Sequence, residues 1–373
     1  MRRDVTVNIL YTASTDGHLR SFHVPCLAGL LEHGHAVTAA AAGDGAGLPE
    51  GVRFVPVPFT KKALSPANLR AAGMLAGLLR RENFDLVLTH TSLAAFFTRL
   101  AVMLCRKRPY VINTVHGYLF SEDSPPLRRG ALLLAERLTA GVTDEIVVMN
   151  DEDRRIARKR RLCRGKVHLI DGMGVPPERF GVPTPGERAA ARRALGLPEG
   201  ALVLLCAAEF SKRKNQAELL RAMESLPADV YLLLPGEGAE LAACRALSAS
   251  LGVADRVAFP GFAEDLRPYR CAADICVSAS RSEGLPFHVT EAMGCGVPCV
   301  LSRVKGHADL LCGGGGLLYP IGDTCALVRA VLLLRSSPSL RQYHGALGAQ
   351  RAQRYALPAV MEPLLSVYER ERH

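Results

Sequence analysis

Residues 274–302 read DICVSASRSEGLPFHVTEAMGCGVPCVLS, and this stretch decides the fold class. Its two short apolar runs, at 275–278 and 297–301, are typical of buried parallel strands that a helix connects. Pro286 suits the first position of that helix and Gly294 is a stop signal, so we predict a helix of about two turns. The sequence therefore predicts an α/β fold built on parallel sheets.

The start of this helix combines an anion site with two acidic side chains. Backbone N–H groups in a first helical turn have no partner within the helix, and the helix dipole favours a phosphate there. Glu283 precedes the helix, and Glu291 lies about 7.5 Å along the axis from Pro286. N–H donors for a diphosphate, with carboxylates for sugar and ribose hydroxyls, suit a sugar nucleotide. The alternative is that Glu291 is an ordinary solvated helix residue.

The spacing Glu283-x7-Glu291, with GLP after the first glutamate and GVP after the second, resembles the E-x7-E signature of retaining GT-B glycosyltransferases of family four. The resemblance covers nearly the whole chain and is weakest at the N-terminus. It implies two Rossmann-like domains facing an interdomain cleft, the first for an acceptor and the second for a sugar nucleotide. It also implies that Glu283 holds the donor sugar, that Glu291 holds the ribose, and that Gly284 and Leu285 donate backbone N–H groups.

A length of 373 residues exceeds what one hydrophobic core usually fills, which indicates two domains. We predict an N-terminal acceptor-binding domain at 1–182 and a sugar-nucleotide-binding domain at 183–355. A C-terminal helix at 356–373 is expected to return to the first domain. The first boundary follows from the proline-rich segment between Pro176 and Pro185, which is typical of a linker.

The sequence shows no pattern for export or membrane insertion. The most apolar stretch, residues 84–105, is interrupted by Asp85, His90 and Arg99, and the N-terminus runs directly into a strand pattern without a cleavage-site segment. The eleven cysteines include no CxxC pair, so we expect reduced, buried thiols and no metal site. We therefore expect a cytoplasmic protein, with the inner face of the plasma membrane as the surface it could contact.

The net charge of +10 is concentrated in the first half of the chain. Residues 1–182 hold 25 lysine and arginine residues against 17 aspartate and glutamate residues, whereas the remainder holds 21 against 19. This surplus indicates either an anionic partner, such as lipid head groups or a phosphorylated acceptor, or an ordinary solvated surface. Nucleic acid is excluded because no RNA- or DNA-binding motif is present. Residues 61–82 predict an amphipathic helix with basic ends, which either contacts the membrane or packs on the sheet.

The first domain offers two sets of candidate residues. The predicted strand at 5–12 leads into a loop with Asp16, Gly17 and His18, where family members often carry Gly-Gly, and we expect this loop on the acceptor side. His116 follows a second predicted strand. The resemblance implies that its imidazole lies beside the transferred sugar, and the alternative is a structural histidine.

The second domain offers a candidate diphosphate site and a candidate base neighbour. Lys214 and Arg213 stand just before a predicted helix, where their cationic groups can meet a diphosphate. The resemblance implies a clamp with Lys214 at the family's lysine position. Glu209 stands where the family has an arginine, and we expect Arg213 to substitute for it. Phe262 is the candidate neighbour of the nucleobase, and the alternative is a core phenylalanine.

The resemblance implies transfer of a sugar with retention of anomeric configuration. The donor implied by the resemblance is a nucleotide sugar, most often a UDP-sugar in relatives. The segments TVHGYLF and MNDEDR are similar to bacterial capsule and exopolysaccharide enzymes, which implies a saccharide or lipid-linked saccharide acceptor. We expect no cofactor beyond this co-substrate, and no metal. The one Asp-x-Asp string, at 151–153, opens a basic helix, so the N–H groups and Lys214 are left to neutralise the leaving diphosphate.

Two other classes of protein share these features. A sugar-nucleotide epimerase of the same fold would form product without a second substrate. A non-catalytic protein that binds sugar nucleotides or anionic lipids would bind the donor without transfer or hydrolysis. NAD-dependent enzymes are excluded, because no GxGxxG motif follows the first strand of either half.

Overall fold

The computed structural model describes residues 6–122 and 124–370. These residues form two compact units, 6–173 together with 358–370, and 174–357. Each unit is built on one parallel sheet with helices on both faces, which confirms the predicted pair of Rossmann-like domains. Val5, the first residue of the predicted first strand, lies outside the described residues.

The first unit contains a seven-stranded sheet with the order β3-β2-β1-β4-β5-β6-β7, in which all neighbouring pairs are parallel. The strands are β1 (Asn8–Thr15), β2 (Ala36–Ala42), β3 (Arg53–Pro56), β4 (Leu86–His90), β5 (Tyr110–Val115), β6 (Glu145–Val148) and β7 (Val167–Leu169). The helices before the unit boundary are α1 (Asp16–Phe22), α2 (Val24–Glu32), α3 (Pro66–Arg81), α4 (Ser92–Met103), α5 (Pro126–Ala140) and α6 (Asp151–Arg160).

The second unit contains a six-stranded parallel sheet with the order β10-β9-β8-β11-β12-β13. The strands are β8 (Leu202–Leu205), β9 (Val230–Leu233), β10 (Val257–Ala258), β11 (Ile275–Ser278), β12 (Cys299–Ser302) and β13 (Gly316–Tyr319). The helices are α7 (Pro185–Ala194), α8 (Gln216–Ser225), α9 (Leu241–Ser250), α10 (Arg267–Ala272), α11 (Phe287–Gly294), α12 (Lys305–Leu311), α13 (Thr324–Ser336) and α14 (Pro338–Ala352), and α15 (Leu357–Tyr368) completes the chain.

Both faces of the second sheet are buried, as the continuous apolar runs predicted. Successive strand residues point to opposite faces, so Leu204 joins one core cluster while Val203 and Leu205 join another. Helices cover both clusters, which is the reason parallel strands read as unbroken apolar runs. The predicted run at 275–278 coincides with β11.

The unit boundaries differ from the predicted 182 and 355. Residues 174–182 belong with the second unit because Val175 exchanges backbone hydrogen bonds with Tyr355 and Leu357. Phe180 also lies directly against Gly294 of α11, where any side chain would collide with its ring. The proline-rich segment is therefore packed structure over much of its length.

The final helix joins the first unit, although the chain reaches it after the second. Tyr368 of α15 shares a hydrogen bond of 2.6 Å with Thr114 of β5, and Leu365 packs against Gly29 of α2. Pro363 lies inside α15, which continues through it. Of the predicted tail at 356–373, the last three residues lie outside the described range.

Three further details correct the predicted elements. The strand β1 continues to Thr15, whose side chain caps α1 by accepting from the His18 N–H, so Asp16, Gly17 and His18 open a helix instead of lying in a loop. Pro286 precedes α11 by one residue. Residues 305–311, which have a loop-like composition, form α12.

Among the described residues, none of the helices has both the length and the apolar character needed to cross a bilayer. The amphipathic helix predicted at 61–82 is α3 (Pro66–Arg81). Its predicted apolar residues are partly buried and partly exposed. Leu75, Leu78 and Leu79 are buried in the core of the first unit, whereas Leu69 and Met74 are exposed.

Candidate active site

The second sheet has a topological switch point between its two central strands. The chain leaves β8 towards β9 and leaves β11 in the opposite direction towards β12, although β8 and β11 are neighbours. Loops that follow such a pair diverge and leave a crevice at the carboxyl ends of the strands, where open α/β sheets bind ligands. Lys214 and Arg213 lie in the loop after β8, and Glu283 lies in the loop after β11.

These three side chains form one ion cluster. The Lys214 Nζ lies 2.6 Å from Glu283 Oε1, and the Arg213 Nη1 lies 3.0 Å from Glu283 Oε2. Arg213 also donates to the Ser282 carbonyl at 3.0 Å. Glu283 is 6% exposed. Burial opposes ionisation of this carboxyl group, but the positive charges of Lys214 and Arg213 outweigh it and hold the pKa of Glu283 well below its ordinary value.

The first turn of α11 lies next to this cluster in sequence. Among the described residues, no side chain caps this helix end. The Val289 and Thr290 N–H groups donate to the Pro286 carbonyl at 3.2 Å, which leaves the His288 N–H of the first turn to an anion. Gly284 and Leu285 form the approach to the turn. The backbone of Gly306 in α12 packs against the Gly284 carbonyl so closely that any side chain at position 306 would collide with it. The loop that carries Glu283 is thus held by a second helix.

Two histidines beside Glu283 were missed from the sequence. The pKa of His307 is lowered to about 4, mainly by burial, although Glu283 opposes the shift. The pKa of His288 is lowered to about 3 by burial and by Lys214. His307 Nδ1 donates to the Ser302 carbonyl at 2.8 Å, which leaves its Nε2 as an acceptor. That Nε2 atom has no hydrogen-bond partner among the described residues. The position of His288 inside the E-x7-E segment was the available signal.

Glu291 has a different pair of cations from Glu283. Its Oε1 lies 2.8 Å from the Arg179 Nη1, and its Oε2 lies 2.7 Å from the Arg270 Nη1. Glu291 and Arg270 are both buried. The side chain is therefore a buried ion-pair partner, and the interpretation of Glu291 as a solvated helix residue is wrong.

Phe262 is a surface residue. It follows β10, and 74% of it is exposed, so the alternative of a core phenylalanine is wrong. Its neighbour Gly261 has a φ of 83° and accepts a hydrogen bond from the Gly236 N–H at 2.7 Å, which fixes the loop. Glu209, at the position of the family's arginine, is exposed and uses its backbone carbonyl to accept from Gln216.

The first sheet repeats this topology with a switch point between β1 and β4. Asp16, just after β1, accepts from the Gly17 N–H at 2.6 Å and the Asp44 N–H at 3.2 Å, and it pairs with Arg20 at 3.2 Å. The side chain thereby fastens the loop after β2. Gly43 in that loop approaches Asp16 so closely that a side chain would collide with it.

Four imidazole rings meet at the carboxyl ends of β1, β4 and β5. The His18 ring centroid lies 5.3 Å from that of His116 and 5.0 Å from that of His23. His90 Nδ1 lies 3.2 Å from His116 Nε2. The structure thus brings together two residues that were predicted separately, and it adds two that were not. Burial lowers the pKa of His116 to about 3 and that of His18 to about 4.

Two family profiles match the chain, one in each unit. The profile described as "Glycosyl transferases group 1" matches residues 187–351, and the profile described as "Glycosyl transferase 4-like domain" matches residues 26–171. The second unit therefore resembles the group 1 glycosyltransferases, and the first unit resembles the glycosyltransferase 4-like domain. The first profile contains the Glu283 cluster and Glu291, and the second contains His116. Asp16, Gly17 and His18 precede both matched regions.

Several curated relatives and solved structures resemble this chain over most of their length. The putative glycosyltransferase EpsD of Bacillus subtilis is 29% identical over 370 residues, which cover 98% of this chain and 97% of the relative. The UDP-Gal:alpha-D-GlcNAc-diphosphoundecaprenol alpha-1,3-galactosyltransferase of Escherichia coli is 24% identical over 293 residues, which cover 76% of this chain and 75% of the relative. The crystal structure of Anabaena HepE in complex with UDP and glucose superposes on this chain with a TM-score of 0.78 and 19% sequence identity. The superposition covers 97% of this chain and 99% of the HepE chain. The structural likeness confirms the GT-B type of fold.

Proposed function

We propose that this glycosyltransferase moves a sugar from a UDP-sugar to a saccharide or lipid-linked saccharide, in the biosynthesis of a cell-surface polysaccharide. Transfer proceeds with retention of anomeric configuration. The names of the relatives support this choice, because one is a glycosyltransferase that uses UDP-Gal and a diphosphoundecaprenol acceptor, and another was crystallised with UDP and glucose. The full-length match to EpsD supports an exopolysaccharide product.

The ion cluster around Glu283 carries the proposal. Lys214 and Arg213 lie at a switch point, where they pair with one buried carboxylate. A donor diphosphate offers these cations oxygens that are better acceptors than a singly charged carboxylate. In the proposed complex both cations bind the diphosphate, together with the N–H groups at the start of α11 and those of Gly284 and Leu285. Glu283 is then released to accept from hydroxyls of the donor sugar.

The other donor contacts are proposed from the same unit. Phe262, as an exposed aromatic ring, stacks on the nucleobase. Glu291 accepts from the ribose hydroxyls after one of its oxygens leaves Arg179. Breaking the ion pair with Arg179 costs little free energy, because the Arg179 side chain is 51% exposed and water can solvate it. The ion pair with Arg270 is expected to stay, because the Arg270 side chain is buried.

The first unit is proposed to serve the acceptor. Gly17 and His18 open α1 at the switch point of its sheet, and His116 assists at the transferred sugar. Asp16 is proposed to hold the loop after β2 in place, because its carboxylate already accepts from backbone N–H groups of that loop.

No metal is required for the proposed departure of UDP. Asp153 of the Asp-x-Asp string is fully buried, and its carboxylate accepts from the Tyr118 N–H at 3.1 Å and from the Asn150 side-chain amide at 2.8 Å, so it is committed to partners within the first unit. The charge that develops on the leaving diphosphate is met by Lys214, Arg213 and N–H dipoles. We therefore expect UDP to bind equally well with and without a chelator.

A contact with an anionic membrane surface is also proposed, and it involves α5. Its Leu127, Leu134 and Leu138 are exposed, and Leu127 is 88% exposed. Arg128 and Arg137 flank this apolar stripe. A basic helix with an exposed apolar face is typical of surfaces that lie on anionic lipid.

A panel of nucleotide sugars tests the proposal. UDP-, GDP-, CDP- and ADP-sugars are compared by thermal unfolding, and a donor at a hundred times its dissociation constant stabilises by about 2.7 kcal/mol. The donor that stabilises is then supplied with and without lipid-linked saccharide acceptors, and the anomeric configuration of the product is read by NMR. An isomerised donor sugar without acceptor, or inverted product, refutes the proposal, and so does stabilisation that survives Lys214→Met.

A further inference from the structure

A cluster of imidazoles in the first unit has a geometry that its hydrogen bonds explain only in part. His18 lies in the first turn of α1, His23 lies between α1 and α2, and His116 follows β5. One ring nitrogen from each of these three lies within 4.8 Å of the corresponding nitrogens of the other two. They come together because β1, β4 and β5 are adjacent parallel strands whose carboxyl ends share one edge.

Several nitrogens of this cluster are buried without a partner. Among the described residues, Nε2 of His18, Nε2 of His23 and Nε2 of His90 make no hydrogen bond. His23 and His90 are completely buried. An unsatisfied buried polar atom is costly, and the unpartnered Nε2 atoms of His18 and His23, side by side, indicate a missing ligand.

We propose that His18, His23 and His116 bind a divalent transition-metal ion such as Zn²⁺. Neutral imidazole nitrogens suit Zn²⁺, Cu²⁺ and Ni²⁺, whereas Mg²⁺ and Ca²⁺ prefer oxygen ligands. Three histidines leave the fourth tetrahedral position to water or another small ligand. Zinc–nitrogen bonds of about 2.0–2.1 Å require ring nitrogens within about 3.5 Å of each other, so each pair of nitrogens, now within 4.8 Å, approaches by at most about 1.3 Å on binding.

The residues around His23 complete the site. The Tyr11 hydroxyl lies 2.6 Å from His23 Nδ1, and Tyr11 is fully buried. When Nδ1–H donates to this hydroxyl, Nε2 carries the free lone pair that a metal needs. Histidine ligands usually have such an outer partner, which fixes the tautomer and the ring orientation.

The inference goes beyond the proposed transfer reaction and does not depend on it. It does bear on His116, because an imidazole that binds zinc is not free to assist at a sugar. Zinc occupancy and the proposed role of His116 are thus alternative uses of one side chain.

The experiment is a zinc titration of the full-length reduced protein against a chromophoric chelator, followed by X-ray absorption. We expect one Zn²⁺ per chain with nitrogen ligands at about 2.0–2.1 Å, because cysteine binding would give about 2.3 Å instead. Tyr11→Phe keeps every ligand and is expected to weaken binding roughly 10–100-fold. His18→Ala is expected to weaken it further, and it is the safer ligand variant because His18 is only half-buried.

The matched control is His344→Ala, which removes a partly buried histidine of α14 in the second unit and should leave zinc affinity unchanged. The inference is overturned by absence of stoichiometric zinc, by sulfur ligands, or by unchanged affinity in His18→Ala. None of these readouts involves a sugar nucleotide, so the metal site and the transfer reaction fail or succeed separately.

Discussion

Replacing Lys214 by methionine separates the structural part of the Glu283 cluster from its functional part. In the native protein the buried Glu283 carboxylate has Lys214 at 2.6 Å and Arg213 at 3.0 Å. Removing one partner of a buried ion pair typically costs about 3–5 kcal/mol. Arg213 remains, but its half-exposed side chain is screened by water, so we expect a loss of about 2–3 kcal/mol in the free energy of unfolding at pH 7.

The pH dependence of this loss has a defined sign. The pKa of Glu283 is lower in the folded protein than the ordinary value of 4.5. Pairing therefore contributes its full stabilisation above about pH 4.5, and this contribution decreases as the pH falls towards the folded pKa. The difference between the native protein and Lys214→Met should shrink over that interval in urea unfolding experiments.

A double variant provides the decisive comparison. Lys214→Met with Glu283→Gln removes both the cation and the charge that it neutralises, so most of the lost stability should return. Transfer activity should not return, because the donor diphosphate still lacks Lys214. Arg335→Met is the matched control, since Arg335 pairs with Asp229 at 2.8 Å on the surface, and it should change stability by at most about 1 kcal/mol. Native stability in Lys214→Met, or transfer restored in the double variant, would refute the reasoning.

Three more substitutions, two of them with a control substitution, test other features. Glu291→Gln leaves a buried guanidinium without its carboxylate and should cost about 3–5 kcal/mol in urea unfolding, and a fully stable variant would contradict the buried pairing. Gly306→Ala should destabilise by about 1–3 kcal/mol and weaken UDP binding in calorimetry, because the new methyl group displaces the Glu283 loop. Gly73→Ala, in an open helical position, should instead stabilise by about 0.5–1 kcal/mol. Leu134→Glu should reduce sedimentation with anionic vesicles, whereas Leu333→Glu, equally on the surface but in α13, should not.

Local patterns predicted the second sheet well. Buried parallel strands leave continuous apolar runs, and for this reason β11 was predicted at its observed residues. The start of α1 was missed. The available signal was Thr15, a residue type that commonly caps helices and whose side chain accepts from the N–H of His18, three residues later. A proline inside a helix normally breaks or kinks it, but α15 continues through Pro363, because the packing of Leu365 and Tyr368 on the first unit maintains it.

Contacts between distant segments limited the prediction of the site. Lys214 and Glu283 are separated by 69 positions, and only the family resemblance placed them together. The partners of Glu291 come from a segment before α7 and from α10, and no local pattern connects these segments with α11. His23 and His90 also escaped notice, because their proximity depends on strand order, which the spacing of residues along the chain does not encode.

The discontinuity of the first unit has a consequence for biosynthesis. Gly29 and Thr114 are covered by Leu365 and Tyr368, which leave the ribosome only after every strand of both sheets has been made. Proteins commonly fold from the N-terminus as synthesis proceeds. Here the core of the unit that is translated first is completed only when α15 has been synthesised. A fragment ending at residue 173 would leave the apolar surface under α15 exposed to solvent.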